Sequence, residues 1–227
     1  MYKHFFKRFF DIVVSFLALP FVLLVVLIMA PIIYINDPGP IFYNATRRGM
    51  NGKSFKMFKL RSMYVNSPDI KNADGSTFNG DKDPRVTKIG RIMRKTSIDE
   101  LPQILNVFLG HMSFIGPRPT LATRSYDEVP MERRKRYEVR PGITGYAQAY
   151  YRNSISQQEK FELDAYYVDH LTFAMDVKVF FKTIKSVLIR ENIYVTPDAQ
   201  KPAESATETA SADNAAQTDK AEAESAK

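Results

Sequence analysis

A nearly unbroken apolar run from Ile12 to Ile35 is the feature that most limits how this chain can fold. The run is long enough to cross the hydrocarbon core of a bilayer, which takes about 20 apolar residues. Lys3, Lys7 and Arg8 precede it, and basic residues in that position favour a cytoplasmic N-terminus. The run therefore predicts a membrane segment at the start of the chain.

Three interpretations of this segment compete. A cleaved signal peptide is disfavoured, because the run is long and shows no small-residue cleavage site. Pro20 lies inside the run and predicts a kink or break, because it lacks the N–H group that would bond the carbonyl of Phe16. Basic residues flank both ends of the run, whereas a spanning helix usually leaves one flank less basic. A single-pass anchor and a re-entrant helix therefore both stay open.

The charge of the chain is unevenly distributed. The whole sequence has a net charge of +7, but three lysines and seven acids lie beyond residue 197, so residues 1–197 hold 29 basic and 18 acidic side chains. A basic body indicates an anionic partner: a nucleic acid, an anionic membrane surface or a phosphorylated substrate. The lack of cysteine excludes disulfides and thiolate metal sites, and the wide spacing of the three histidines argues against a zinc site.

The remaining patterns predict a mostly helical α+β fold. Residues 45–63 predict a hairpin with Phe55 and Met57 facing inward, and residues 66–85 predict a long surface loop. Helical patterns cover residues 86–97, 100–110, 125–140, 159–170 and 173–189. The last of them carries lysines beside an aromatic face, so it either packs in the core or lies on a membrane surface.

We divide the chain into a membrane segment at residues 1–36, a folded domain at residues 37–197 and a tail at residues 198–227. The tail consists mainly of Ala, Glu, Ser, Thr and Asp, and it has too little apolar surface to offset the entropy of ordering. We therefore predict that it is disordered, with a frayed helix as the alternative.

Two adjacent acids, Asp99 and Glu100, lie in the stretch TSIDELPQ at residues 96–103. A capping box from Ser97 to Glu100 would place Pro102 where its missing N–H group costs a hydrogen bond. Asp99 as a simple N-cap fits the proline better, but it leaves Glu100 without a role. Capping and a catalytic pair are both compatible with this pattern.

Several cations surround the acids in the sequence. Arg94 precedes them, and Arg118 lies between two prolines that fix its backbone, which suits bidentate binding of a phosphate. Lys59 and Arg61 alternate with apolar residues and therefore share a face of a strand. Carboxylates, arginines and Mg²⁺ together are typical of phosphoryl transfer, although salt bridges and solvated faces explain each cation singly.

The motifs that follow one another along the chain resemble those of the bacterial sugar transferases, and more narrowly the small monotopic phosphoglycosyl transferases. The resemblance extends from about residue 5 to about residue 190 and rests on the following segments: FKRFFD, PGPIFY, RRGMNGKSFKMFKLRSM, IGRIMRKTSIDELPQILNVFLGHMSFIGPRP, VRPGITGYAQ and KFELDAYYV. It implies an enzyme that transfers a sugar 1-phosphate from a UDP-sugar to polyprenyl (undecaprenyl) phosphate and releases UMP. Such an enzyme uses Mg²⁺ and initiates the assembly of a surface polysaccharide or glycoconjugate, such as a capsule or exopolysaccharide.

The resemblance also assigns roles to residues. It implies that Asp99 is the nucleophile that carries the phosphosugar, and that Glu100 is its partner in handling metal or protons, with both acids as metal ligands. It implies phosphate binding by the cations that match the family's motifs: Lys59, Arg94 and Arg118. Arg140 and Arg152 are further candidates for substrate binding, although AYYRNS replaces the Asn-Gly-Arg-Asn run that many members have.

The same resemblance implies a re-entrant helix-break-helix on the cytoplasmic face of the bacterial inner membrane. The break would lie at Pro20, although many members break at a Ser-Pro pair further along. The amphipathic helices would lie at the membrane interface, and the sequence is compatible with a homo-oligomer. Two other functions compete: a membrane-anchored module that binds nucleic acid or anionic lipid, which lacks a recognisable nucleic-acid motif, and a non-catalytic scaffold for another glycosyltransferase.

Overall fold

The computed structural model describes residues 2–70, 78, 80, 83–151 and 154–189. As predicted, they form a mostly helical fold with a few short strands and one long apolar helix near the N-terminus. The helices are α1 (Lys7–Asn36), α2 (Lys88–Thr96), α3 (Gln103–Phe108), α4 (Met131–Arg134), α5 (Tyr146–Tyr150), α6 (Gln157–Asp169) and α7 (Phe173–Ile189). The strands are β1 (Ala45–Arg48), β2 (Ser54–Met57), β3 (Ser113–Ile115), β4 (Thr120–Leu121) and β5 (Gly142–Thr144). The tail predicted to be disordered lies outside the described residues, as do parts of the predicted loop 66–85.

The apolar run forms one continuous helix, α1, which contains both Pro20 and Pro31. The predicted helix-break-helix with its break at Pro20 is therefore wrong as a description of the secondary structure. An interior proline removes one hydrogen bond and its ring crowds the carbonyl four residues back, which bends a helix without having to end it. By length and composition α1 is apolar enough to cross a membrane.

One narrow stripe of α1 packs against the rest of the fold, and both ends of the helix are held. At the N-terminal end, Lys7 Nζ lies 2.6 Å from Asp176 Oδ2 of α7. At the C-terminal end, Ile33 is buried in a cluster with Leu60 and Met93. The opposite side of α1 exposes a broad band of large apolar residues, such as Phe16, Leu17, Leu24, Leu27 and Ile28.

The strands form two small sheets. Strand β1 pairs with β2 in the predicted hairpin and with β4 on its other side, and all of these pairs are antiparallel. Phe55 and Met57 face inward as predicted. Strands β3 and β5 form a separate parallel pair.

The parallel pair brings together the segments GPRP and PGITG. Gly116 N donates to Thr144 O at 2.8 Å, and Gly142 N donates to Pro117 O at 3.0 Å. A Cβ atom on Gly116 would lie 2.4 Å from Arg140 O, and one on Gly142 would lie 2.2 Å from Gly116 N. Only glycine permits this close approach, which fixes where the turn after β3 begins.

Helix α7 uses a different face from the one suggested by its aromatic residues. Val179 and Asp176 are buried, whereas Phe180 and Phe181 are half exposed or more. The aromatic face therefore does not pack in the core of the described fold. Phe173, at the start of α7, instead contacts the ring of Phe10 on α1, so the exposed apolar surfaces of the two helices adjoin.

Candidate active site

Asp99 and Glu100 lie on a single 3₁₀ turn, Ile98–Glu100, between α2 and α3. Ser97 adopts the left-handed conformation, with a φ of 57°, and ends α2. The prediction that Asp99 is an N-cap is wrong, because α3 begins only at Gln103 and Pro102 occupies the capping position. Pro102 needs no N–H partner there, so the proline separates the turn of the two acids from α3.

Lys59 binds both acids. Its Nζ atom lies 2.8 Å from Asp99 Oδ2 and 3.2 Å from Glu100 Oε1. The backbone fixes the same contact, because Leu60 N donates to Asp99 O at 3.0 Å. Arg118 Nη2 approaches from the other side and lies 3.1 Å from Glu100 Oε1. The structure therefore brings together Asp99, Glu100, Lys59 and Arg118, as the sequence predicts.

The two acids differ in their surroundings. The Asp99 side chain is 1% exposed, and apart from the ion pair of Oδ2 with Lys59 its carboxylate oxygens have no polar partner in the part of the chain that the structure describes. Glu100 is 20% exposed and Arg118 is 53% exposed, so the site opens on the side of Arg118. Burial raises the pKa of Glu100, but the charges of Arg118 and Lys59 outweigh burial and hold that pKa at about 2. Glu100 is consequently ionised at neutral pH.

The other predicted cations lie at different distances from the acids. Arg94 Nε donates to Ser62 Oγ at 3.0 Å. Burial lowers the pKa of Arg94, and the negative charge of Asp99 opposes this effect, so Arg94 and Asp99 interact electrostatically. Arg140 Nε donates to Gly110 O at 2.9 Å, beyond the far end of α3 from the acids. Arg61 pairs with Asp37 at the end of α1. Arg152 lies outside the described residues.

Asn106 positions Lys59, a role that the sequence analysis missed. It is fully buried on α3, its Oδ1 accepts from Phe58 N at 2.8 Å, and its Nδ2 donates to Lys56 O at 2.8 Å. These two bonds fix the chain immediately before Lys59 to the helix that follows the acids. A polar residue in the middle of the apolar stretch QILNVF was the available signal.

We expect Asn106→Ala to lower the free energy of unfolding by about 2–4 kcal/mol, because two partly buried backbone groups, at the second strand and just after it, lose their partners. Thermal unfolding of the purified protein measures this change. Asn44, which is exposed, provides the matched control Asn44→Ala, for which we expect little change. An unchanged Tm in Asn106→Ala would show that these hydrogen bonds do not support the fold.

Comparison with known proteins gives a consistent result. Residues 2–190 match the family described as bacterial sugar transferase. The sugar transferase EpsL of Bacillus subtilis is 39% identical over 193 residues, which cover 84% of this chain and 91% of EpsL.

Two longer relatives have names that state a reaction. The UDP-N-acetylgalactosamine-undecaprenyl-phosphate N-acetylgalactosaminephosphotransferase of Aeromonas hydrophila is 38% identical over 81% of this chain and 44% of its own length. The UDP-glucose:undecaprenyl-phosphate glucose-1-phosphate transferase of Escherichia coli is 37% identical over 83% of this chain and 41% of its own length. With a family match over most of its length and a relative of its own size, the chain belongs to the bacterial sugar transferases and is a transferase enzyme.

Proposed function

We propose that this enzyme transfers a sugar 1-phosphate from a UDP-sugar to polyprenyl (undecaprenyl) phosphate, with release of UMP, and so initiates the assembly of a surface polysaccharide. The observation that carries the proposal is the adjacent pair Asp99 and Glu100 beneath two cations, Lys59 and Arg118. The names of the Aeromonas and Escherichia relatives support this reaction class. They differ in the donor sugar, so we leave that sugar open.

In the proposed reaction Asp99 is the nucleophile. An oxygen of its carboxylate forms a bond to the β-phosphorus of the donor while the bond from that phosphorus to the bridging oxygen breaks, and UMP leaves with the bonding electrons. An oxygen of polyprenyl phosphate then attacks the same phosphorus and releases the Asp99 carboxylate. The donor diphosphate competes for Lys59 and Arg118, and their movement from the acids to the phosphates uncovers the buried Asp99 side chain.

The site also fits Mg²⁺. This ion favours one or two carboxylates and takes its other ligands from water and substrate phosphates. The described residues contain no cluster of three or more metal-binding side chains, but Asp99 and Glu100 supply two carboxylates, and Asp99 has no partner among those residues apart from its ion pair with Lys59. When bound, Mg²⁺ would neutralise charge on the diphosphate. Asp99 and Glu100 would hold it, while Arg118 orients the phosphates.

We further propose that α1 enters the membrane from the cytoplasmic side and returns to that side. A straight helix of its length would measure about 45 Å, more than the thickness of the hydrocarbon core. A spanning helix would leave its two ends on opposite sides of the bilayer. Lys7 and Ile33 instead both contact the same folded body, which supports insertion from one face, with the exposed band of α1 in the lipid.

The proposed function is tested by assaying a panel of UDP-sugars for UMP release with undecaprenyl phosphate as the acceptor. We expect continued release of UMP from at least one donor when undecaprenyl phosphate is present. Without this acceptor, at most one UMP should be released per enzyme molecule, because only the enzyme can then take up the sugar phosphate. No release of UMP with any UDP-sugar would contradict the proposal.

We expect chelation of divalent metal by EDTA to abolish UMP release, and added Mg²⁺ to restore it. The reason is that Lys59 and Arg118 are partly neutralised by the two acids, so the diphosphate needs further positive charge. The UMP assay measures both steps on the same sample. Full activity in EDTA would show that these side chains suffice without a metal.

A further inference from the structure

Arg47 lies on the inward face of the hairpin, where a cation is unexpected. In the register of β1 and β2 it stands opposite Phe55, and Ala45 on the same face stands opposite Met57. Residues directly opposite each other in an antiparallel pair share a face, and both Phe55 and Met57 are buried. The side chain of Arg47 is therefore on the same side of the hairpin as apolar core residues.

Arg47 is a partly buried cation. Its Nε atom is buried without a hydrogen bond, and its guanidinium makes no hydrogen bond or ion pair with any residue that the structure describes. A buried N–H group without an acceptor is unfavourable, so the Nε atom of Arg47 is suited to bind a group that the described residues do not supply.

The neighbouring residue Arg48 has a structural role in this hairpin. Arg48 Nη1 donates to Gly52 O at 3.3 Å, its Nη2 donates to Arg124 O, and its guanidinium lies over the ring of Tyr126. Arg48 thus fastens the hairpin to the segment after β4. Arg47 makes no comparable contact, although the two residues are adjacent in one strand.

The position of Arg47 links it to the acids. Burial lowers the pKa of Arg47, the nearby positive charge of Arg118 lowers it further, and Glu100 and Tyr43 oppose this effect, so all four groups lie within electrostatic range. The backbone agrees, because Arg47 pairs with Leu121 of β4, which begins two residues after Arg118. The side chains of Arg47 and Arg118 are therefore in the same part of the fold as Glu100, which Arg118 and Lys59 already bind.

We propose that Arg47 is a substrate-binding residue that, together with Arg118, holds the diphosphate of the nucleotide donor. This inference rests on the proposed function and adds to it a residue that does not itself contact the two acids. Two guanidiniums that repel each other are stabilised by an anion between them, and a diphosphate offers oxygens to both in bidentate geometry. Arg118 binds from the exposed side and Arg47 from the apolar face of the hairpin.

The test compares Arg47→Met with Lys56→Met, which removes the same charge from the outer face of the same hairpin, where the Lys56 side chain is exposed. We expect Arg47→Met to raise KM for the UDP-sugar and the Kd for UDP by about 10- to 100-fold, with KM for undecaprenyl phosphate unchanged. We expect the KM and Kd of Arg47→Lys to lie between those of Arg47→Met and the unchanged protein. Lys56→Met should have the same KM for the UDP-sugar and the same Kd for UDP as the unchanged protein.

Stability separates this role from a structural one. Because Arg47 is a partly buried cation without an ion-pair partner among the described residues, we expect the Tm of Arg47→Met to equal or exceed that of the unchanged protein, whereas loss of a structural arginine would lower it. A Kd for UDP within twofold of the unchanged protein, or an equal loss in Lys56→Met, would overturn the inference. UDP binding is measured without turnover, so the binding inference and the proposed reaction can fail separately. If Arg47→Met weakens UDP binding but the unchanged protein releases no UMP from any donor, the proposed reaction is refuted and the role of Arg47 in binding stands.

Discussion

Asp99→Asn is expected to reduce UMP release by at least about 1000-fold while leaving the protein folded. The amide that replaces the carboxylate is a poor nucleophile toward phosphorus. The fold should survive, because Lys59 keeps Glu100 as a partner at 3.2 Å and the hydrogen bond from Leu60 N is made to the backbone of residue 99. The UMP assay and thermal unfolding on the same preparation measure the two expectations.

Two further measurements make this prediction specific. With a donor labelled in its β-phosphate and no acceptor, the unchanged protein should become labelled on Asp99, and Asp99→Asn should not. Asp169→Asn, which removes an exposed acid that pairs with Lys135, serves as the control and should retain activity. Activity of Asp99→Asn within tenfold of the unchanged protein would refute the role of Asp99. Loss of activity without labelling of the unchanged protein would assign Asp99 a role other than nucleophile.

The second large effect is expected at Asp176, in the first turn of α7. Its carboxylate accepts from Lys7 Nζ, Tyr2 OH and Tyr167 OH, each at 2.6 Å, in a buried setting. Asp176→Ala removes the ion-pair partner of the buried Lys7 ammonium and the acceptor of two tyrosine hydroxyls, so we expect the free energy of unfolding to fall by about 3–5 kcal/mol. Thermal unfolding should show this as a Tm lower by roughly 10 °C.

The charge itself can be tested as the cause. The double variant Lys7→Met with Asp176→Ala removes the stranded ammonium, and it should therefore be more stable than Asp176→Ala alone. Asp169→Ala, in the exposed pair with Lys135, is the matched control and should change the Tm little. If Asp176→Ala and the double variant have equal Tm values, the unpaired charge of Lys7 is not the cause of the loss of stability.

The parts of the site that the sequence predicted are those carried by local patterns. Glycine turns and alternation predicted the hairpin, and adjacent acids among cations predicted the group around Asp99. The N-cap at Asp99 was wrong because Ser97 takes a left-handed conformation, which its residue type does not indicate. The break at Pro20 was wrong because a proline removes one hydrogen bond without having to end a helix.

The parts that the sequence did not predict depend on pairing between distant segments. Arg47 and Arg48 are identical neighbours, and only the pairing of β1 with β2 and β4 gives them different surroundings. The role of Asn106, a polar residue in an apolar helix, becomes visible only from its hydrogen bonds to the backbone of residues 56 and 58. The contact between Lys7 and Asp176 joins residues 169 positions apart, beyond any local pattern.

That last contact has a consequence for the order in which the protein is made. Synthesis proceeds from the N-terminus, so α1 leaves the ribosome long before Asp176 exists. Until α7 has been translated, Lys7 lacks its ion-pair partner, and the N-terminal end of α1 lacks that attachment to the folded body. The final position of α1 relative to the folded body is consequently fixed late, after nearly all of the described chain has been synthesised.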